Sequence, residues 1–183
     1  MNVIERLYSC LSGADEKRIR EFATSVLAND VAWSACHPVN ELSGIDAVVG
    51  DFLVPLALSM PDLERRAFIH IPGEYQGEQW VAGTGYLVGT FSSPLFGIPA
   101  TGKSLYLRYS ELVKLDKGRI SQCYLFPDFL DVMQQAGVYP LRPALGHDGL
   151  ILPPSTLNGL CDQDLDPAYS ASTVRLIMDM LDC

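Results

Sequence analysis

The hydrophobic pattern of this 183-residue chain changes period once, near Met60-Pro61-Asp62. Before that point, apolar residues recur at helical intervals. Ile19, Phe22, Ala23, Val26 and Leu27 mark a helix over 15–27, and Val48, Val49, Phe52, Leu53 and Leu56 mark a second that opens at Gly44-Ile45-Asp46. Pro55 is expected to kink the second one. A short strand, Val31-Ala32-Trp33, separates the two. Beyond Asp62 the spacing becomes two. Residues 63–71, 79–91, 104–115 and 119–126 predict four strands. Their expected connections are Pro72-Gly73, the Phe96–Gly102 loop and the tight turn Asp116-Lys117-Gly118. A short helix, Phe129–Gln135, follows with Asp128 at its N-cap.

Helices first and an antiparallel meander afterwards imply an α+β fold with the helices on one face of the sheet. A curved sheet closed by helices makes a cone with a cavity. Residues 1–138 are expected to form that domain. Residues 139–183, rich in Pro, Gly and Asp, are expected to form an extension ending in a helix over 173–181. The terminal helix loosely resembles the first one, as the start of a second repeat would.

Composition excludes several classes. With 48% hydrophobic and 19% charged residues, a packed core is expected. The net charge of −9 argues against nucleic acid or an acidic membrane surface as partner. Residues 1–6 lack the basic-then-apolar order of a secretory signal, and the longest apolar run, residues 52–60, is too short to span a bilayer. Five widely spaced cysteines (10, 36, 123, 161 and 183) contain no C-x-x-C pair, which points to a reducing cytoplasm and to no zinc or redox site. His37, His70 and His147 lie far apart, and no metal or cofactor is expected.

Gly97-Ile98-Pro99-Ala100-Thr101-Gly102-Lys103-Ser104 matches the spacing of a phosphate loop. Such a loop needs a helix after it, whose free amides face the phosphates. Strand periodicity follows Lys103, and Pro99 lacks an amide, so the run reads as an inter-strand loop.

Several motifs in order resemble one family. They are Asn29-Asp30-Val31-Ala32-Trp33, Leu42-Ser43-Gly44-Ile45-Asp46, Met60-Pro61-Asp62-Leu63, the Phe96–Lys103 loop, Gly118-Arg119-Ile120, and Asp128-Phe129-Leu130 followed by Met133-Gln134-Gln135-Ala136-Gly137. Over about residues 15–138 the chain resembles the SnoaL-like polyketide cyclases of the nuclear transport factor 2-like superfamily. The resemblance implies an internal apolar cavity, an apolar small-molecule ligand, pairing into a homodimer, and acid/base closure of a polyketide ring by intramolecular aldol chemistry. It also implies Asp128 as the acid/base, a role that a low-dielectric pocket would favour; a plain helix cap is the competing role. Phe91 and Cys123 stand where family members often have His. That departure leaves open a non-catalytic binding or dimerisation module of the same fold.

Other candidates come from strand faces. Glu111 shares a face with Leu107, Tyr109 and Val113, so it is expected either to serve a pocket or to pair with Arg108 or Lys114. His37, in a Cys-His-Pro turn, is a third candidate for catalysis. Trp33, Tyr86, Phe91, Tyr109 and Cys123 are candidates for lining a ligand. Trp80 and Tyr106 are aromatics of the ligand or dimer face, and Gly83, Gly85 and Gly89 leave room on one strand face.

Overall fold

The computed structural model describes residues 3–143, 145–146, 151–156, 158–160 and 166–182. His147, Cys161 and Cys183 lie outside the described residues.

The chain opens with a helix that the sequence reading did not anticipate, α1 (Val3–Ser9), which buries Ile4, Leu7 and Tyr8. Helix α2 (Glu16–Val26) follows, and the Asp15 carboxylate caps it by accepting from Arg18 N–H at 2.8 Å. The second predicted helix is one path in three pieces: α3 (Gly44–Val48), a wider π turn (Val49–Leu53) and α4 (Val54–Ser59). The widened turn directly precedes Pro55, where the missing amide proton disfavours the tighter ladder.

Six strands form one sheet: β1 (Leu27–Ala35), β2 (Glu41–Ser43), β3 (Glu64–Tyr75), β4 (Glu78–Thr90), β5 (Ser104–Asp116) and β6 (Arg119–Pro127), in the order β2-β1-β6-β5-β4-β3. The sheet is curved and unclosed, with β2 and β3 at its edges. All neighbours are antiparallel except β1 and β6, which run parallel. Pro72-Gly73 lies inside β3 rather than in a turn, and the reversal comes at Gln76-Gly77, both with positive φ. An edge strand tolerates a proline because one of its sides carries no ladder. At the start of the Phe96–Gly102 loop, Ile98 and the preceding Leu95 bond to each other and are buried, and β5 rather than a helix follows Lys103.

One face of the sheet packs on the helices. Val31 and Trp33 of β1, Leu107, Tyr109 and Val113 of β5, and Cys123 and Leu125 of β6 share a core with Tyr8, Ala23, Phe52 and Leu56 of the helices. After β6, the Asp128 carboxylate caps α5 (Phe129–Gln135). Residues 151–156 lie against the other face of the sheet, where Ile151 N–H donates to Tyr86 Oη at 2.8 Å. Residues 158–160 run along the free edge of β3, where His70 N–H donates to Gly159 O at 2.7 Å and Leu160 bridges His70 in parallel. The chain ends in α6 (Pro167–Leu181), longer at its start than predicted because Asp166 caps it and Pro167 occupies the first turn. No residue of α6 is buried. No helix among the described residues is long and apolar enough to cross a membrane.

Candidate active site

Strand β5 sets the geometry. Leu105, Leu107, Tyr109, Glu111 and Val113 point into the core, while Tyr106, Arg108, Ser110, Leu112 and Lys114 alternate to the outer face. Glu111 is therefore a carboxylate inside the cone. It stands opposite Gly83 of β4 and Leu125 of β6. A Cβ at Gly83 would lie 3.0 Å from Glu111 Oε1, so the room this glycine leaves is taken by the Glu111 side chain.

The partner of Glu111 is neither Arg108 nor Lys114. Those two reach Asp128 and Glu78 on the outer face. Glu111 is bonded to the Arg65 guanidinium, which comes from β3 across β4. The two side chains are 1% and 4% exposed. The guanidinium carbon lies 5.1 Å from the Tyr109 ring centre and 5.7 Å from that of Tyr8. The two phenol rings stack at 6.4 Å with 20° between their planes. Tyr8, on the unanticipated α1, brings the helical layer onto the sheet's ion pair.

Burial governs the electrostatics. It lifts the Glu111 carboxyl above the ordinary carboxylate range, and Arg65 pulls it the other way without cancelling the effect. Burial also pushes the Tyr8 hydroxyl well up, helped by the Glu111 charge, and Tyr109 rises for the same first reason. The Cys123 thiol is raised by burial and then by Glu111, which makes it an inert thiol rather than a nucleophile. Among the described residues of this core, Tyr8 Oη, Trp33 Nε1 and Arg65 Nε are buried without a hydrogen-bond partner, while the Tyr109 hydroxyl is acted on by the Arg65 guanidinium. A buried polar group left without any partner costs about 1–3 kcal/mol.

Four of the five expected lining residues, Trp33, Phe91, Tyr109 and Cys123, belong to this core. Trp33 leans on Phe52, with ring centres 5.6 Å apart. Tyr86 alternates to the outer face, where its ring meets Tyr106 and Phe68. His37 is exposed, in the turn between β1 and β2.

Asp128 stands apart from Glu111. Its Oδ1 accepts from Asp131 N–H at 3.0 Å, and its Oδ2 accepts from Arg108 at 2.5 Å. Arg108 belongs to the outer row of β5, so the two carboxylates expected to share a cavity lie on different sides of the sheet. Asp128 N–H donates to Arg108 O, which fixes the strand end against β5. No group of three or more metal-ligating side chains occurs among the described residues.

A curved, unclosed sheet laid on helices, with a polar cluster sealed between them, defines an α+β cone of the ketosteroid isomerase-like kind. The chain belongs to the SnoaL-like polyketide cyclase family, whose sequence model matches residues 2–136. No curated protein matches it significantly. Solved structures share the fold at low identity. One, described as a SnoaL-like polyketide cyclase from Jannaschia sp. CCS1, is 21% identical over 76% of this chain and 91% of its own, with a TM-score of 0.57. IdmH from Streptomyces antibioticus, described as a polyketide cyclase, is 19% identical over 74% and 96%, at 0.56. AclR from Streptomyces galilaeus, described as a hydroxylase, is 13% identical over 98% and 92%, at 0.58.

Proposed function

We propose that this protein is an acid/base enzyme of the cyclase type, acting on an apolar carbonyl compound inside the cone, with Glu111 as its proton carrier. The observation that carries this reading is a buried carboxylate bonded to a guanidinium that lies against two buried phenol rings. Ring closure of aldol type, isomerisation, dehydration and hydrolysis of such a compound share one first need. A proton must leave or reach a carbon or oxygen next to a carbonyl while negative charge builds on that oxygen. A carboxylate lifted by burial is better matched to that proton than an ordinary one. The Tyr8 and Tyr109 hydroxyls belong to the same buried cluster as the Arg65–Glu111 pair, and preorganised donors in a water-poor site stabilise a developing oxyanion strongly. Arg65 holds Glu111 in place and adds positive charge.

In this reading Asp128 positions the end of β6 and caps α5, and His37 takes no part. Residues 1–138 form the catalytic cone and residues 139–183 a separate extension. The protein works as a homodimer in a reducing cytoplasm, and light scattering at micromolar concentration would check the dimer.

The substrate class can be probed with 2-tetralone, a two-ring ketone with exchangeable protons beside its carbonyl. Its deuterium uptake in buffered D2O, followed by NMR, is expected to be faster with the wild-type protein. Glu111→Gln, shown folded by circular dichroism, is expected to lose about 10²–10⁴-fold of that catalysis, and Asp128→Asn is expected to keep it. A folded Glu111→Gln protein with wild-type exchange would overturn the assignment.

A further inference from the structure

A cavity lies on the outer face of the sheet, away from Glu111. It measures about 330 Å³ and lies between β3, β4 and β5 on one side and the C-terminal segment on the other. That is the size of a site for one small molecule. Phe68, Tyr86 and Tyr106 wall it, Leu152 and Pro153 roof it, and Arg66 stands at its mouth.

The roof is attached at two places. Tyr86 Oη accepts from Ile151 N–H at one end, and Gly159 O accepts from His70 N–H at the other. Only glycine fits the second attachment, because a Cβ at 159 would come within 2.4 Å of Phe68 O. The roof is therefore seated in a defined register rather than lying loosely over the sheet. The walls are aromatic and inclined to one another. Phe68 and Tyr86 stand 5.9 Å apart at 44°, and Tyr86 and Tyr106 stand 6.2 Å apart at 84°. Such walls present faces and edges to a flat ring. Tyr86 accepts from Ile151, which leaves its own hydroxyl hydrogen free to donate. Arg66 bonds Glu64 through one of its five N–H groups at 2.8 Å, and its side chain is more than half exposed.

We propose that this cavity is a second binding site, for a flat aromatic molecule of about two rings that carries a carboxylate. The rings lie among Phe68, Tyr86 and Tyr106, and the carboxylate meets Arg66 at the mouth. The site is separate from the interior cluster, and its occupation does not depend on the chemistry proposed for Glu111.

The test uses the full chain and 2-naphthoate, with binding followed by calorimetry and by NMR. One saturable site is expected. Val88→Trp, which fills the outer face from β4, and Gly159→Val, which lifts the roof, are each expected to weaken binding at least tenfold. Arg66→Met is expected to weaken 2-naphthoate but not 2-methylnaphthalene, while Glu111→Gln leaves both unchanged. Intermolecular NOEs from the ligand to the Val88 methyls in the wild-type protein would support the site even if a variant fails to fold. Absence of saturable binding, or NOEs to the interior methyls of Val113 and Leu125 instead, would overturn it.

Discussion

Arg65 on β3 and Glu111 on β5 form an ion pair inside the core, although β4 lies between their strands. They meet because β4 presents glycine on that face at 83, directly opposite Glu111. A buried pair of this kind contributes little net stability, because desolvation offsets the attraction; removing one partner costs about 3–5 kcal/mol by stranding the other. Glu111→Leu and Arg65→Met should each lower the unfolding free energy from urea titration by that order, and the double variant should recover most of it. Additive losses in the double variant would show that the two side chains are not coupled.

The pH dependence follows from the same carboxyl. Its folded pKa is raised above the unfolded value, so the folded state binds that proton more tightly than the unfolded chain does. The stability it contributes is complete below the ordinary glutamate value of about 4.3 and is lost as pH rises through the raised value. Relative to the Arg65→Met/Glu111→Leu double variant, the wild-type protein should lose stability as pH rises across that window. Urea midpoints measured from pH 4 to 8 on both proteins check this; a relative gain with rising pH would contradict it.

Two of the inner glycines of β4, Gly83 and Gly85, should differ in their tolerance of alanine. At Gly85 a Cβ would come within 2.2 Å of Arg66 O, at the irregular pairing between Ala67 and Ile69, so the backbone itself must move. At Gly83 the nearest atom is the end of the Glu111 side chain, at 3.0 Å. Gly85→Ala should therefore be the more destabilising, by about 1–3 kcal/mol. Gly83→Ala should instead shift Glu111 and lower 2-tetralone exchange. Thermal melts and exchange rates on the two variants would separate these effects, and equal melting temperatures would contradict the reading.

Asp128 gives the opposite profile. Asn retains the acceptor for Asp131 N–H, so Asp128→Asn should melt close to wild type, whereas Asp128→Ala should lose about 1 kcal/mol. The pair with Arg108 is partly exposed, at 26% for Asp128 and 33% for Arg108, and adds little. Both variants should keep exchange activity. A loss in the folded Asn variant would return the acid/base role to Asp128.

Much of this architecture was legible from periodicity. The switch from helical to strand spacing placed all four long strands, and alternation along β5 put Glu111 among the core residues. Arg65 escaped notice because it sits beside Arg66, and the pairing shift between Ala67 and Ile69 obscures which of the two points inward. Tyr8 escaped notice because α1 has only seven residues, too few for a clear period. The three-residue β2 is shorter still. The parallel pairing of β1 with β6 joins segments about ninety residues apart, a relation that no local pattern carries. The weight placed on Asp128 came from motif resemblance, which aligns a position in sequence and does not say which side of the sheet its carboxylate takes.

The most direct measurement is the titration of Glu111 itself. Protein carrying Val88→Trp, which fills the outer cavity, and labelled with ¹³C at the glutamate carboxyl, with the Glu111 signal assigned by its loss in Glu111→Gln, can be followed by NMR with and without 2-naphthol, the aromatic analogue of the 2-tetralone enol. The account predicts a Glu111 signal that titrates above the other glutamates and shifts when 2-naphthol binds. A Glu111 signal that titrates with the ordinary glutamates, or that does not respond to bound 2-naphthol, would contradict it.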